Sequence, residues 1–137
     1  MISEPEMTSY QIHHLNFLKI AYNNLIKCEP FTHDEITQED EAFILSLKQL
    51  IEDFEAGNEN IYITGEQILE RAFRMYPALA HLIARDLLWF FGGSCLHNMA
   101  DDEIDKFQQL DELRFSAEEN NEEFDYLNKR ASIFSQN

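Results

Sequence analysis

Apolar residues in this chain recur mainly at three- and four-residue steps, the spacing that gathers side chains on one side of an α-helix. Between Ser9 and Lys27, the positions Ile12, Leu15, Leu18, Tyr22, Leu25 and Ile26 share a face and predict a first helix. His13, Phe17 and Ile20 gather on the opposite side, so this helix has a second apolar surface, suited to burial between two neighbours or to a partner. A second helix is predicted over Gln38 to Ala56, with Phe43, Leu47, Leu50 and Phe54 as its stripe and Ile44 and Ile51 beside it. Thr37 followed by Asp40 resembles a capping box at its start, and Gly57 and Asn58 stop it.

The run Ile61-Tyr62-Ile63-Thr64 alternates like a strand, but no second run exists to pair with it, which predicts an extended connector. Thr64 with Gln67 three residues on predicts the cap of a third helix, whose face is Ile68, Leu69, Ala72, Phe73 and Tyr76. Pro77 ends it, because the residue before a proline is pushed out of helical dihedrals. The following stretch, about 78–91, is apolar in almost every direction and predicts a central buried helix closed by Gly92 and Gly93. Acids at 101–103 suit a helix N-terminus, and Ile104, Phe107, Leu110 and Leu113 continue that helix. A last helix is predicted from Ala117, capped by Ser116 and packing through Phe124, Leu127 and Ala131. The ends, about 1–8 and 132–137, are expected to be flexible. The pattern as a whole predicts an all-α fold, a single domain over 1–137 built as a bundle of about six helices, orthogonal or up-and-down.

Composition agrees with this architecture. At 137 residues and 45% hydrophobic, the chain is long enough for a core without staples, and four Gly with three Pro are too few for a turn-rich sandwich or barrel. No basic segment followed by an apolar run opens the chain, and no eighteen apolar residues run together, so a cytoplasmic protein is expected. Cys28 and Cys95 form no CxxC spacing and are expected to be reduced thiols.

Charge changes the picture more. The net charge is −16, and it is concentrated. Residues 29–59 carry ten acids against one base and residues 101–125 carry eleven against two, so each block is −9, while 1–28 and 61–97 are neutral. Nucleic-acid and membrane partners are disfavoured, because binding to a phosphate surface needs clustered cations. The predicted partner is a protein, of basic character, docked on acidic helix faces. A second copy of the chain, held through the apolar residues left over on the first helix, is the alternative.

The candidate binding residues are His81, Arg85, Asp86, Trp89, Cys95 and His97. His81 and Arg85 stand one turn apart on the predicted 78–91 helix, with Asp86 about 100° round from Arg85. A buried charge must be paired, so these side chains either tie helices together or line a polar cleft beside Trp89. The segment Phe-Gly-Gly-Ser-Cys-Leu-His-Asn-Met-Ala-Asp-Asp-Glu puts Cys95, His97, Asp101 and Asp102 within ten residues, the densest set of reactive types in the chain. Metal sites usually announce paired ligands such as HExxH, which is absent, and no metal, cofactor or catalytic residue is assigned. His33-Asp34, with His13 or His14 upstream and Asp86 or Asp101 downstream, invites comparison with metal-dependent HD phosphohydrolases, but the pair lies in a Pro- and acid-rich loop rather than at the end of an apolar helix. GGS lacks the lysine of a phosphate-binding loop.

The stretch RDLLWFFGGSCLHNMADDEIDKFQQLDE, Arg85 to Glu112, resembles the C-terminal half of a small uncharacterised family of gammaproteobacterial cytoplasmic proteins with no settled activity. The expectation is therefore a non-enzymatic interaction or regulatory protein. The alternative is a small-molecule-binding or metal-dependent hydrolytic protein using a cleft near His81, Arg85, Asp86 and His97.

Overall fold

The computed structural model describes residues 7–135, and among them the secondary structure is entirely helical. Six α-helices occur in these residues: α1 Ser9–Leu25, α2 Gln38–Glu55, α3 Ile61–Met75, α4 Arg85–Phe91, α5 Asp101–Glu119 and α6 Tyr126–Phe134. Two 3-10 helices, Pro77–Leu82 and Gly93–Asn98, flank α4. The expected flexible ends fall partly on residues 1–6 and 136–137, which lie outside the described residues, while α6 itself runs through Phe134.

Several predicted boundaries differ from the structure. Ile61-Tyr62-Ile63-Thr64 is the first turn of α3 and not a connector, and Thr64 is inside the helix, its N–H donating to the Asn60 carbonyl at 3.2 Å. The cause is burial. Ile61, Gly65, Ile68, Leu69 and Ala72 form one inward stripe, and sinking Ile61 to 7% exposure outweighs the few tenths of a kcal/mol by which β-branched residues disfavour helix.

The predicted 78–91 helix is likewise two pieces. Pro77–Leu82 is a 3-10 helix, Ile83 and Ala84 are extended with ψ of 119° and 140°, and only Arg85–Phe91 is α-helical. A straight helix apolar on every side needs cover on every side. The break re-aims the chain so that Ile83, Leu87, Leu88, Phe90 and Phe91 are all buried while His81 and Arg85 stay exposed.

The third difference is at the end. No helix starts at Ala117; α5 continues to Glu119 because Ala117, buried at 7%, prolongs the stripe of Phe107 and Leu110. The chain turns at Asn121, whose φ of 54° is the left-handed conformation that Asn tolerates better than most residues. Asp125 then caps α6, its side chain accepting from the Asn128 N–H at 3.2 Å. Leu127 and Ala131 face out, and the inward residues of α6 are Tyr126 and Ile133.

By contact density the chain forms two compact units, Leu15–Met99 and the residues before and after it. In Leu15–Met99, the face Leu15, Leu18, Ala21 and Leu25 of α1 is buried, as are Phe43, Leu47, Leu50 and Phe54 of α2. Leu18, Leu25, Phe43, Leu47, Leu69 and Leu87 surround a void of only about 10 Å³, so the centre is tightly filled. Phe31, Phe43 and Tyr76 form an aromatic trio with centroids 4.9 to 5.8 Å apart. The other unit is built on Leu110, Tyr126 and Ile133, with Tyr10, Phe124 and Phe134 against them. There the Arg114 guanidinium lies 3.8 Å from the centre of the Tyr10 ring and its Nε donates to Asp111 at 3.4 Å.

Candidate functional site

The polar surface of α3 follows from its register. With positions 61, 65, 68, 69 and 72 turned inward, Glu66, Gln67, Glu70, Arg71 and Arg74 fall on the outer and flanking faces. Two groups of side chains form on that surface.

The first group lies where α3 meets the glycine turn after α4. Gly92 ends α4 with φ 67° and ψ −146°, and Gly93 follows at φ 57°, so the pair of glycines predicted as a helix stop does adopt left-handed geometry. A Cβ on Gly93 would run into the Glu66 carboxylate. The absence of a side chain there lets Glu66 Oε1 accept from the Ser94 N–H at 3.1 Å, while Ser94 Oγ lies 3.2 Å from Glu66 Oε1 and 3.1 Å from Glu70 Oε2. Gly65 of α3 permits a similar approach, since a Cβ there would overlap the Phe91 ring. The last residues of α4 thus lie directly on the backbone of α3.

Cys95 is packed into this junction at 1% exposure, its Sγ 3.9 Å from the Glu66 carbonyl. Burial, reinforced by the charges of Glu66 and Glu70, pushes its thiol up to about 11. Buried and protonated at neutral pH, the thiol packs into the junction as part of its core.

The second group lies between the first turn of α2 and the second half of α3. Thr37 Oγ1 accepts from the Asp40 N–H at 3.1 Å, which fixes the start of α2 as the capping pattern predicts. Asp40 Oδ1 in turn accepts a 2.5 Å hydrogen bond from the Tyr76 hydroxyl, tying that start to the end of α3. Desolvation, then the bond to Asp40, holds the tyrosine well above its usual range. Beside this tie is an open cleft of about 460 Å³ lined by Glu39, Gln67, Glu70, Arg71, Arg74 and Met75.

The residues singled out from sequence are dispersed along the 77–98 segment. His81 is exposed on the 3-10 helix, and the break at Ile83 and Ala84 removes the one-turn relation to Arg85 that a continuous helix would give. Arg85 is exposed and its Nη2 donates to the Asn98 carbonyl at 2.5 Å, which brings it next to the end of the Gly93–Asn98 helix that carries His97. Asp86 is buried in the first turn of α4, Trp89 is half-buried, and His97 is exposed. His33 and Asp34 are exposed among turns, with His33 Nε2 3.7 Å from Glu29. Sequence reasoning missed Glu39, Gln67, Glu70, Arg71 and Arg74. For the four on α3 the signal was present in the three- and four-residue spacing of polar side chains along 67–74, but it is readable only once the helix is known to start at Ile61.

No helix among the described residues is long and apolar enough to cross a membrane. No curated protein and no solved structure matches the chain. The likeness visible over Arg85 to Glu112 extends much further, for the model of the PA2817-like family matches residues 6–137, and the chain belongs to that family.

Proposed function

We propose that this chain is a non-enzymatic interaction protein of the cytoplasm whose acidic helix faces dock a basic protein partner. The observation that carries the reading is on α5, where Asp105, Glu112 and Glu119 are exposed and spaced seven residues apart. Seven residues are nearly two full turns, so the three carboxylates form a ladder along one face with steps of roughly 10 Å. Exposed Phe115, at 51%, sits beside that ladder and adds apolar area of the kind interface centres use. Glu39, Glu41, Glu52 and Glu55 are similarly exposed on α2, so each acidic block displays its charge outward. Such surfaces act chiefly on encounter rate and partner choice. Two free cysteines, one of them buried, agree with a reducing compartment.

The test is affinity capture of the partner by the full chain at low and high salt, beside a variant carrying Asp105→Asn, Glu112→Gln and Glu119→Gln. Capture should weaken by an order of magnitude or more between about 0.05 M and about 0.5 M salt, and should drop comparably for the variant at low salt. Salt-insensitive capture, or equal capture by the variant, would overturn the reading.

A further inference from the structure

The cleft between α2 and α3 brings two arginines and two glutamates together on one lining. Arg71 and Arg74 stand three residues apart on α3, with Gln67 one turn before Arg71, so two guanidinium groups and a carboxamide share one face. Among the described residues, no carboxylate lies within ion-pair distance of either guanidinium, although Glu39 and Glu70 line the same cleft. In a chain of net charge −16, two adjacent cations without a carboxylate partner leave their guanidinium donors accessible to a ligand. The volume, about 460 Å³, is within the range of small-ligand sites.

The sign balance of the lining narrows the ligand. A simple anion would be drawn by the arginines but repelled by Glu39, Glu70 and the field of the whole chain, and a simple cation would meet the reverse conflict. A molecule carrying one charge of each sign meets neither. We infer that this cleft binds a small zwitterion of the free amino-acid type, its carboxylate held by Arg71 and Arg74 and its ammonium group by Glu39 and Glu70. Planar guanidinium forks suit a carboxylate in two-point contact, and Met75 offers an apolar, adaptable surface to the ligand's side chain. Glu70 Oε2 also accepts from Ser94 Oγ at 3.1 Å, so the cleft shares one residue with the junction of α3 and the Gly93–Asn98 helix. The inference shares Glu39 with the acidic face of α2 but does not depend on that face docking a partner.

The experiment is calorimetric titration of the full chain with the proteinogenic L-amino acids, each alone, followed for any that binds by its N-acetyl derivative, its decarboxylated amine and inorganic phosphate. Saturable binding by at least one amino acid is expected, weakened at least about tenfold when either charged group is removed from it. Arg74→Gln and Glu39→Gln, both at exposed positions, should each weaken it about tenfold with an unchanged circular dichroism spectrum. The inference is overturned if no amino acid binds below about 10 mM, if phosphate or the N-acetyl derivative binds as tightly as the amino acid, or if Arg74→Gln leaves binding intact.

Discussion

Gly65 shows how a missing side chain can carry structural information. Gly65 is in the interior of α3, where glycine costs about 1 kcal/mol relative to alanine by propensity alone, so Gly65→Ala on an isolated helix would stabilise. In the folded chain the added methyl meets the Phe91 ring, which is itself buried at 6% and closely flanked by Phe90 at a centroid distance of 5.0 Å. Overpacking of this kind costs about 1 to 3 kcal/mol, which equals or exceeds the propensity gain. Gly65→Ala is therefore expected to lower the urea midpoint, and Phe91→Leu introduced with it should recover some of the loss. Additive effects of the two substitutions would show that the ring and the glycine are not coupled. Nothing in the sequence around Gly65 announces this contact, because a close approach depends on a residue 26 positions away, whereas the turn role of Gly92 and Gly93 can be read locally from a glycine pair after an apolar run.

At the scale of elements, the tie between Tyr76 and Asp40 joins a helix start to a helix end. Removing the hydroxyl with Tyr76→Phe leaves the Asp40 carboxylate without that donor, and a loss of about 1.5 to 3 kcal/mol is expected by chemical denaturation, in line with hydrogen bonds to charged groups. The pH dependence has a definite sign. The folded-state tyrosine titrates above its unfolded value of about 10, so its contribution is complete below that pH and declines as pH rises beyond it, when the unfolded chain ionises first. Stability measured from about pH 9 upward should therefore fall less steeply in Tyr76→Phe than in the parent chain. A steeper fall in the variant would contradict the assignment.

The elements themselves are legible to different degrees. The start of α2 can be read from sequence because a stripe and the Thr37 cap coincide there, and that of α1 from its stripe alone. The start of α3 misleads because four residues with strand-like alternation also fit the helix stripe that begins at Ile61, and only the buried partner decides between the two periods. The break at Ile83 and Ala84 carries no Gly or Pro, so it is invisible locally and arises from the need to bury an all-apolar segment. At the end of α5, Ser116 resembles a cap, but the buried Ala117 keeps the helix going to the Asn120-Asn121 pair, which is the better stop signal. The α2–α3 cleft is not legible because it joins the first turn of one helix to the second half of another.

For the whole molecule the dominant number is the net charge of −16, carried mostly by two blocks of −9. Charges of one sign crowded on exposed helix faces repel one another, and that repulsion is larger in the folded chain than in an expanded one. Salt shortens its reach from about 30 Å at 0.01 M to about 8 Å at 0.15 M. The melting temperature is therefore expected to rise over that range by several degrees, with most of the rise complete by the upper end. Scanning calorimetry in sodium chloride checks this, and a falling Tm would mean that attractive pairs such as Lys19–Glu55, 3.3 Å apart, outweigh the repulsion. The same rise should be smaller in the triple α5 variant, which removes three of the charges concerned.

The chain has one tryptophan, and it lies on α4, the short helix bounded on one side by the extended pair Ile83 and Ala84 and on the other by Gly92. Half-buried Trp89 consequently gives the protein an intrinsic optical reporter whose emission speaks for that seven-residue segment before anything else. A fluorescence melting curve and a far-ultraviolet curve are then two different measurements, one of how firmly α4 is seated and one of helix content averaged over the chain, and any separation between them dates the release of α4 relative to the loss of the rest.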